Sequence, residues 1–167
     1  MASFSEARDN PVEQLWDEID GVHAGMLGLK GSDLLMRPMA PQCDRTTNTI
    51  WFFTRADTDL VKALRPGSRA QFCIVGADHD YHAALTGSLK ETKDKAKIDE
   101  YWNSVVEAWY EGGKSDPALT LLTLSLDEGE IWASTDSAVK FGWEIAKANL
   151  NPDKVPDVGV HRHVRFA

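Results

Sequence analysis

The feature that most constrains this chain is a succession of short apolar runs, each closed off by turn-forming residues before a helical period can develop. Residues 34–39 (Leu-Leu-Met-Arg-Pro-Met) follow a Lys30, Gly31, Ser32 and Asp33 turn, and with the small-residue run His23 to Leu29 they read as a β-hairpin. Trp51, Phe52, Phe53 and Thr54 form a second aromatic strand. Pro66 and Gly67 precede an alternating strand from Ala70 to Val75, and a turn at Asp78 to Asp80 precedes another from Tyr81 to Leu89. Gly87 inside that last run marks a bulge or a close backbone approach. Leu119 to Leu126 is leucine-rich, and Asp127, Glu128 and Gly129 read as the turn of a further hairpin into Glu130, Ile131 and Trp132. Residues 40–48 are polar and irregular and read as a connecting loop.

Helical patterns stand before, between and after these runs. Asn10 as cap, Pro11 in the first turn and Glu13 reaching back start an amphipathic helix whose face carries Val12, Leu15, Trp16 and Ile19. Asp57 and Thr58 offer cap oxygens to a helical turn from Asp59 to Leu64. Thr92 is expected to cap the longest helix, with Ile98, Tyr101, Trp102, Val105 and Trp109 on one stripe, running out at Gly112 and Gly113. A last helix is expected from Asp136 or Ser137, with Val139, Trp143, Ala146 and Leu150 on its apolar face, and residues 151–167 form a less regular tail. The pattern predicts a mainly β protein with helices, an antiparallel barrel decorated by helices. A parallel doubly wound sheet would need regular strand-helix alternation and a Gly-rich first turn, which this chain lacks.

A length of 167 residues suits a single domain spanning 1–167. A net charge of −8 argues against a nucleic-acid partner, since phosphate backbones are held by clustered cations. No apolar run approaches a membrane span and the amino terminus has no export pattern, so a cytoplasmic protein is expected. Cys43 and Cys73 read as free thiols.

The chemistry-bearing stretch is 34–62, which gathers Arg37, Thr54, Arg55, Thr58 and Lys62 around one strand-turn-helix unit. A charged Arg in an apolar strand needs a partner, either an acidic neighbour or a phosphate-bearing cofactor. His79, His82, His161 and His163 with Asp78 and Asp80 are metal-ligand residue types, but their spacing matches no closed zinc pattern, and no metal is expected. Asp127, Glu128 and Glu130 read as a solvated turn. Trp109 and Tyr110 read as core, or as an aromatic laid over a ligand or a subunit seam by the Gly-Gly bend.

The order of these features resembles a known family. Leu15 and Trp16, M-R-P-M at 36–39, W-F-F-T at 51–54, Leu85 to Leu89 around Gly87, and A-W-Y-E-G-G-K-S-D-P at 108–117 followed by Glu130, Ile131 and Trp132 resemble the pyridoxamine 5'-phosphate oxidase-like split barrels, in their general stress protein branch. The resemblance implies a six-stranded antiparallel split β-barrel that forms a two-fold homodimer, with FMN (FAD being possible) at each subunit interface. Arg37, Pro38 and Met39 would run beside the ribityl chain and phosphate, and Phe53 and Thr54 would face the cofactor; Trp132 is a candidate wall of the pocket from its place after the last expected hairpin. Relatives place basic residues where this chain has Thr58, Asp59 and Leu60, so Arg55 and Lys62 are the expected substitutes. The implied activity is that of a small flavin-dependent oxidoreductase in stress response, acting on a small-molecule redox substrate and distinct from a true pyridoxamine 5'-phosphate oxidase. No catalytic residue is assigned. The alternatives are a non-catalytic flavin-binding or sensor module, a barrel that uses deazaflavin or haem, and a structural dimer with a degenerate pocket.

Overall fold

A computed structural model describes residues 3–134, 138–150 and 159–166. Helix α1 (Phe4–Asp9) is capped by Ser3, whose hydroxyl accepts from the Glu6 N–H, and is too short to leave a readable period in the sequence. Helix α2 (Pro11–Asp20) follows directly and buries Leu15, Trp16 and Ile19. The strands are β1 (Gly25–Leu29), β2 (Arg37–Met39), β3 (Gln42–Asp44), β4 (Thr49–Arg55), β5 (Arg69–Val75), β6 (Tyr81–Thr92), β7 (Leu119–Ser134) and β8 (Gly159–Arg165). They form one antiparallel sheet in the order β2-β1-β5-β6-β7-β4-β3, with β8 paired to the far half of β7.

The sheet is strongly curled, as the split-barrel class requires. Strands β4 and β5 are separated in the hydrogen-bonded order by β6 and β7, yet Phe52 and Phe72 meet edge to face with ring centroids 5.1 Å apart. Only a sheet folded over on itself brings those faces together, and the fully buried Leu27, Ile50, Leu85, Leu122 and Leu124 fill the space between. Six strands have five or more residues, while β2 and β3 have three each.

Several expectations change. The hairpin β1–β2 forms, but residues 34–36 lie before β2 and outside the ladder. The expected loop at 40–48 contains β3, which pairs with β4 from Gln42↔Trp51 to Asp44↔Thr49. The expected turn at Asp127 is a bulge: Thr86 faces Glu128 and Gly87 faces Leu126, leaving Asp127 as the extra residue while β7 runs on through Trp132 to Ser134. The Asp127 carboxylate pairs with Arg69 and its carbonyl accepts from the Phe166 N–H. Turn-forming residues stay extended there because β6 on one side, and β4 then β8 on the other, hold the chain throughout.

The expected long helix is two short ones. Thr92 is the last residue of β6, and Asp94 caps α4 (Lys95–Tyr101) by accepting from the Ala96 and Lys97 N–H groups. Trp102 and Asn103 break the run, and the Asn103 side chain caps α5 (Ser104–Glu107). The chain breaks because Trp102 turns inward to lie edge-on to Phe53 and beside Tyr110. Helix α3 (Asp59–Ala63) forms with Thr58 as its cap, as its sequence predicts. Helix α6 (Ala138–Leu150) lies where a last helix is expected, although its proposed caps Asp136 and Ser137 fall outside the described residues. Within the tail, residues 151–158 also fall outside, and 159–165 are the regular strand β8. Among the described residues no helix is long and apolar enough to cross a membrane.

Candidate functional site

A cleft of about 440 Å³ opens between β2, the end of β4 and the segment that follows α4. That volume lies within the range of small-molecule sites. Strand β2 supplies one wall through Arg37, Pro38 and Met39, with Ala40 and Gln42 beyond it. Arg37 stands opposite the buried Leu27 in the β1–β2 register, so its side chain leaves from the inward face and reaches the cleft half-buried. Strand β4 supplies the floor through Phe53, Thr54 and Arg55, and Thr58 follows from the turn before α3. The third wall is Val105, Val106, Trp109 and Tyr110, carried there by the break after α4. Trp109 is 77% exposed at the rim, whereas Tyr110 is buried and packs against Trp102. Burial pushes the Tyr110 phenol up to about 12, with the nearby Arg55 charge opposing that shift.

The two arginines of the cleft differ in what holds them. Arg55 donates from Nε to Asp57 Oδ1 at 3.1 Å and from Nη2 to Asp57 Oδ2 at 3.0 Å, a two-pronged pair. This holds the Asp57 carboxyl below the usual carboxylate range, the hydrogen bonds from Arg55 being the main cause. Arg37 makes no hydrogen bond or ion pair with any of the described residues. A half-buried arginine that shares a cleft lining with Phe53, Met39 and Tyr110 suits an anion, because a cation beside apolar groups favours a charged partner.

Of the residues singled out from the sequence, Arg37, Pro38, Met39, Phe53, Thr54 and Arg55 converge on this cleft. Lys62 and Trp132 do not. Lys62 is exposed on α3, with its carbonyl accepting from Arg65 Nη1 at 2.8 Å, and its side chain is not part of the lining. Trp132 lies on the far half of β7, paired across the ladder with His82 and His161 and stacked on the His161 ring at 5.3 Å. Asp59 is likewise outside the lining, and the carboxylate that bears on the cleft's charge is Asp57. Gln42, Val105 and Val106 escaped sequence reasoning. Gln42 sat in an apparent loop, Val105 belonged to an apparent helix stripe, and Val106 lay within the same expected helix but off that stripe. The signal for that wall was the Trp109-Tyr110 pair ahead of Gly112, where the Gly112 N–H donates to Asp116 and bends the chain back.

The lining therefore offers one guanidinium without a partner among the described residues, one paired one, two threonine hydroxyls, a glutamine amide and a broad apolar and aromatic surface. It suits a flat, elongated molecule with an anionic end. Among the described residues it contains no carboxylate, imidazole or thiol.

The profile of the family described as pyridoxamine 5'-phosphate oxidase like matches residues 10–157. Among solved structures, one of a general stress protein 26 from Jannaschia sp. CCS1 superposes with a TM-score of 0.78 at 37% identity, over 94% of this chain and 99% of the other. The general stress FMN/FAD binding protein from Xanthomonas citri superposes with a TM-score of 0.70 at 41% identity, over 75% and 89%. A general stress family protein from Xanthomonas campestris pv. campestris gives 0.66 at 38%, over the same shares. No curated protein matches. A match across most of the sequence, joined to a curled antiparallel sheet of the same architecture, shows that this chain belongs to the pyridoxamine 5'-phosphate oxidase-like family.

Proposed function

We propose that this protein binds FMN in the β2–β4 cleft and works as a small flavin-dependent oxidoreductase, assembled as a homodimer. The observation that carries the reading is Arg37: a half-buried cation without a partner among the described residues, at one end of an aromatic cleft. The similarity to the FMN/FAD binding protein of Xanthomonas citri supports a flavin over other flat anions. The residues present fit the group. Arg37 would take the phosphate through parallel charge-assisted hydrogen bonds, roughly 1.5–3 kcal/mol each. Thr54 and Thr58 would hydrogen-bond along the chain, while Phe53, Met39 and Trp109 would exclude water from the ring system. When bound, the flavin supplies the hydride acceptor, and the protein's part is to bind and orient.

The test is a titration of the purified full-length chain with FMN, read by quenching of flavin fluorescence. Saturable binding that weakens at least tenfold in Arg37→Gln is the expected result, and equal affinity of the two proteins refutes the assignment. The homodimer is supported by the exposed apolar side chains of the open sheet face, Met26 at 41% and Val75 at 47%, and sedimentation equilibrium tests it.

One observation favours a second reading, in which the protein carries or senses flavin without turning over a substrate: among the described residues the lining supplies no group able to move a proton near neutral pH. Anaerobic mixing of the flavin-loaded protein with NADH or NADPH separates the two. Reduction no faster than that of free FMN favours the carrier, and the visible spectrum of purified protein distinguishes both from a deazaflavin or haem protein.

A further inference from the structure

Arg55 lines the cleft, yet its guanidinium is already taken. The turn that joins β4 to α3 presents Asp57 to it: the Ala56 N–H donates to the Ala118 carbonyl at 2.8 Å and the Thr58 N–H to the Arg55 carbonyl at 3.2 Å, so the backbone itself sets the approach of the carboxylate. The other acidic group near Arg55, Asp116, is engaged by the N–H groups of Gly112 and Ala118. Asp57 is therefore the one described carboxylate that hydrogen-bonds Arg55. Both side chains of the pair are about half exposed, 52% for Arg55 and 61% for Asp57, so water and ions reach them.

We infer that Asp57 sets how strongly this cleft prefers a phosphorylated flavin over riboflavin, by competing with the ligand's anionic end for Arg55. This rests on the flavin reading above. In the paired state the cleft meets the ligand's phosphate with Arg37 alone. A phosphate carrying about 1.5–2 negative charges recruits Arg55 only by displacing a carboxylate from it. Asp57 is thus a specificity-determining residue that touches no ligand. It holds the affinity for the phosphorylated ligand below what two arginines would give, and leaves binding of the uncharged ring and ribityl chain unaffected.

The experiment titrates the full-length chain with FMN and, separately, with riboflavin, for the wild type, Asp57→Asn, Arg55→Gln and the double variant. Freeing Arg55 from a half-exposed pair is expected to tighten FMN about fivefold in Asp57→Asn, equal to about 1 kcal/mol, with riboflavin within twofold of the wild type. Arg55→Gln is expected to change FMN binding less than twofold in the wild-type background and to abolish the gain in the Asp57→Asn background. An FMN-to-riboflavin ratio unchanged in Asp57→Asn, with both flavins binding, overturns this inference and leaves the flavin reading standing. A gain that survives in the double variant overturns it too, since the effect would not pass through Arg55. Absence of any flavin binding by the wild type overturns both. Thermal melts of all four proteins within a few degrees of one another establish that the comparison is between folded chains.

Discussion

Gly87→Ala should destabilise the framework that carries the cleft. At this position β6 crosses the bulge in β7, and a Cβ would lie 2.0 Å from the Ser125 carbonyl oxygen, 2.8 Å from its carbon and 3.0 Å from Leu126 Cα. All three are backbone atoms, so no side chain can rotate aside. The methyl group fits only if β6 and β7 part where β7 passes from β4 to β8. Overpacking of this kind costs about 1–3 kcal/mol, and one or two weakened ladder hydrogen bonds add about 1 kcal/mol each. The sum, about 2–5 kcal/mol, is a large part of the ~5–15 kcal/mol that holds a domain folded. For a chain of this length it corresponds to a fall in melting temperature of about 4–20 °C. Circular dichroism melts and urea titrations read it directly. Gly142→Ala is the control, because a Cβ there meets nothing within 4 Å and alanine favours the helix, so its expected effect is nil or stabilising by up to ~1 kcal/mol. A Gly87→Ala protein that melts within about 2 °C of the wild type would show that the two strands are not in the close contact described.

Phe52→Ala removes the β4 partner of Phe72 inside the curl and should cost about 3–5 kcal/mol in urea unfolding. Thr58→Ala deletes the cap that accepts from the Val61 N–H at 3.4 Å and should cost about 1 kcal/mol by the same measurement. The Asp44 carboxyl is held well below the usual carboxylate range, first by the Thr46 hydroxyl and then by Lys97 at 2.9 Å. A depressed folded-state pKa stabilises above the unfolded value near ~3.9 and loses that contribution as pH falls toward the folded one. Asp44→Asn should therefore destabilise by about 1–3 kcal/mol at pH 7, with the difference from wild type shrinking below about pH 4 in pH-dependent urea unfolding. Trp109, exposed at the cleft rim, should contribute to the tryptophan quenching seen on FMN binding, and an undiminished quench in Trp109→Phe would place the flavin elsewhere.

Elements with chemically marked ends were legible in the sequence. Pro11 opens α2, Thr58 caps α3, Pro66 and Gly67 separate α3 from β5, and Gly87 announces the irregularity that the β6–β7 register shift displays. Misreadings arose where a segment's state depends on residues far along the chain. Asp127 and Glu128 favour a turn in isolation, and Gln42 to Asp44 favour a loop, but ladder partners on other strands hold both extended. The stripe through Trp102 and Val105 favours one helix, but Trp102 gains more by packing on Phe53 and Tyr110 than by prolonging it. Trp132 looked like a pocket wall because it follows an apparent hairpin. With β7 continuous, it travels away from the cleft to meet His161.

By itself, then, the sequence determined the class of architecture and the presence of Arg37, Thr54 and Arg55 in one short stretch, because side-chain alternation, caps and turn chemistry act over a few residues; that β2 and β4 meet across one cleft was decided by the curl of the sheet. Tertiary structure alone decided that Arg37 has no partner among the described residues while Arg55 is held by Asp57, and that Val105, Val106 and Trp109 close the cleft. Those outcomes depend on sheet curl, on the aim of a turn and on a helix break. Each is set by contacts between segments that are distant in sequence, and no local pattern encodes them.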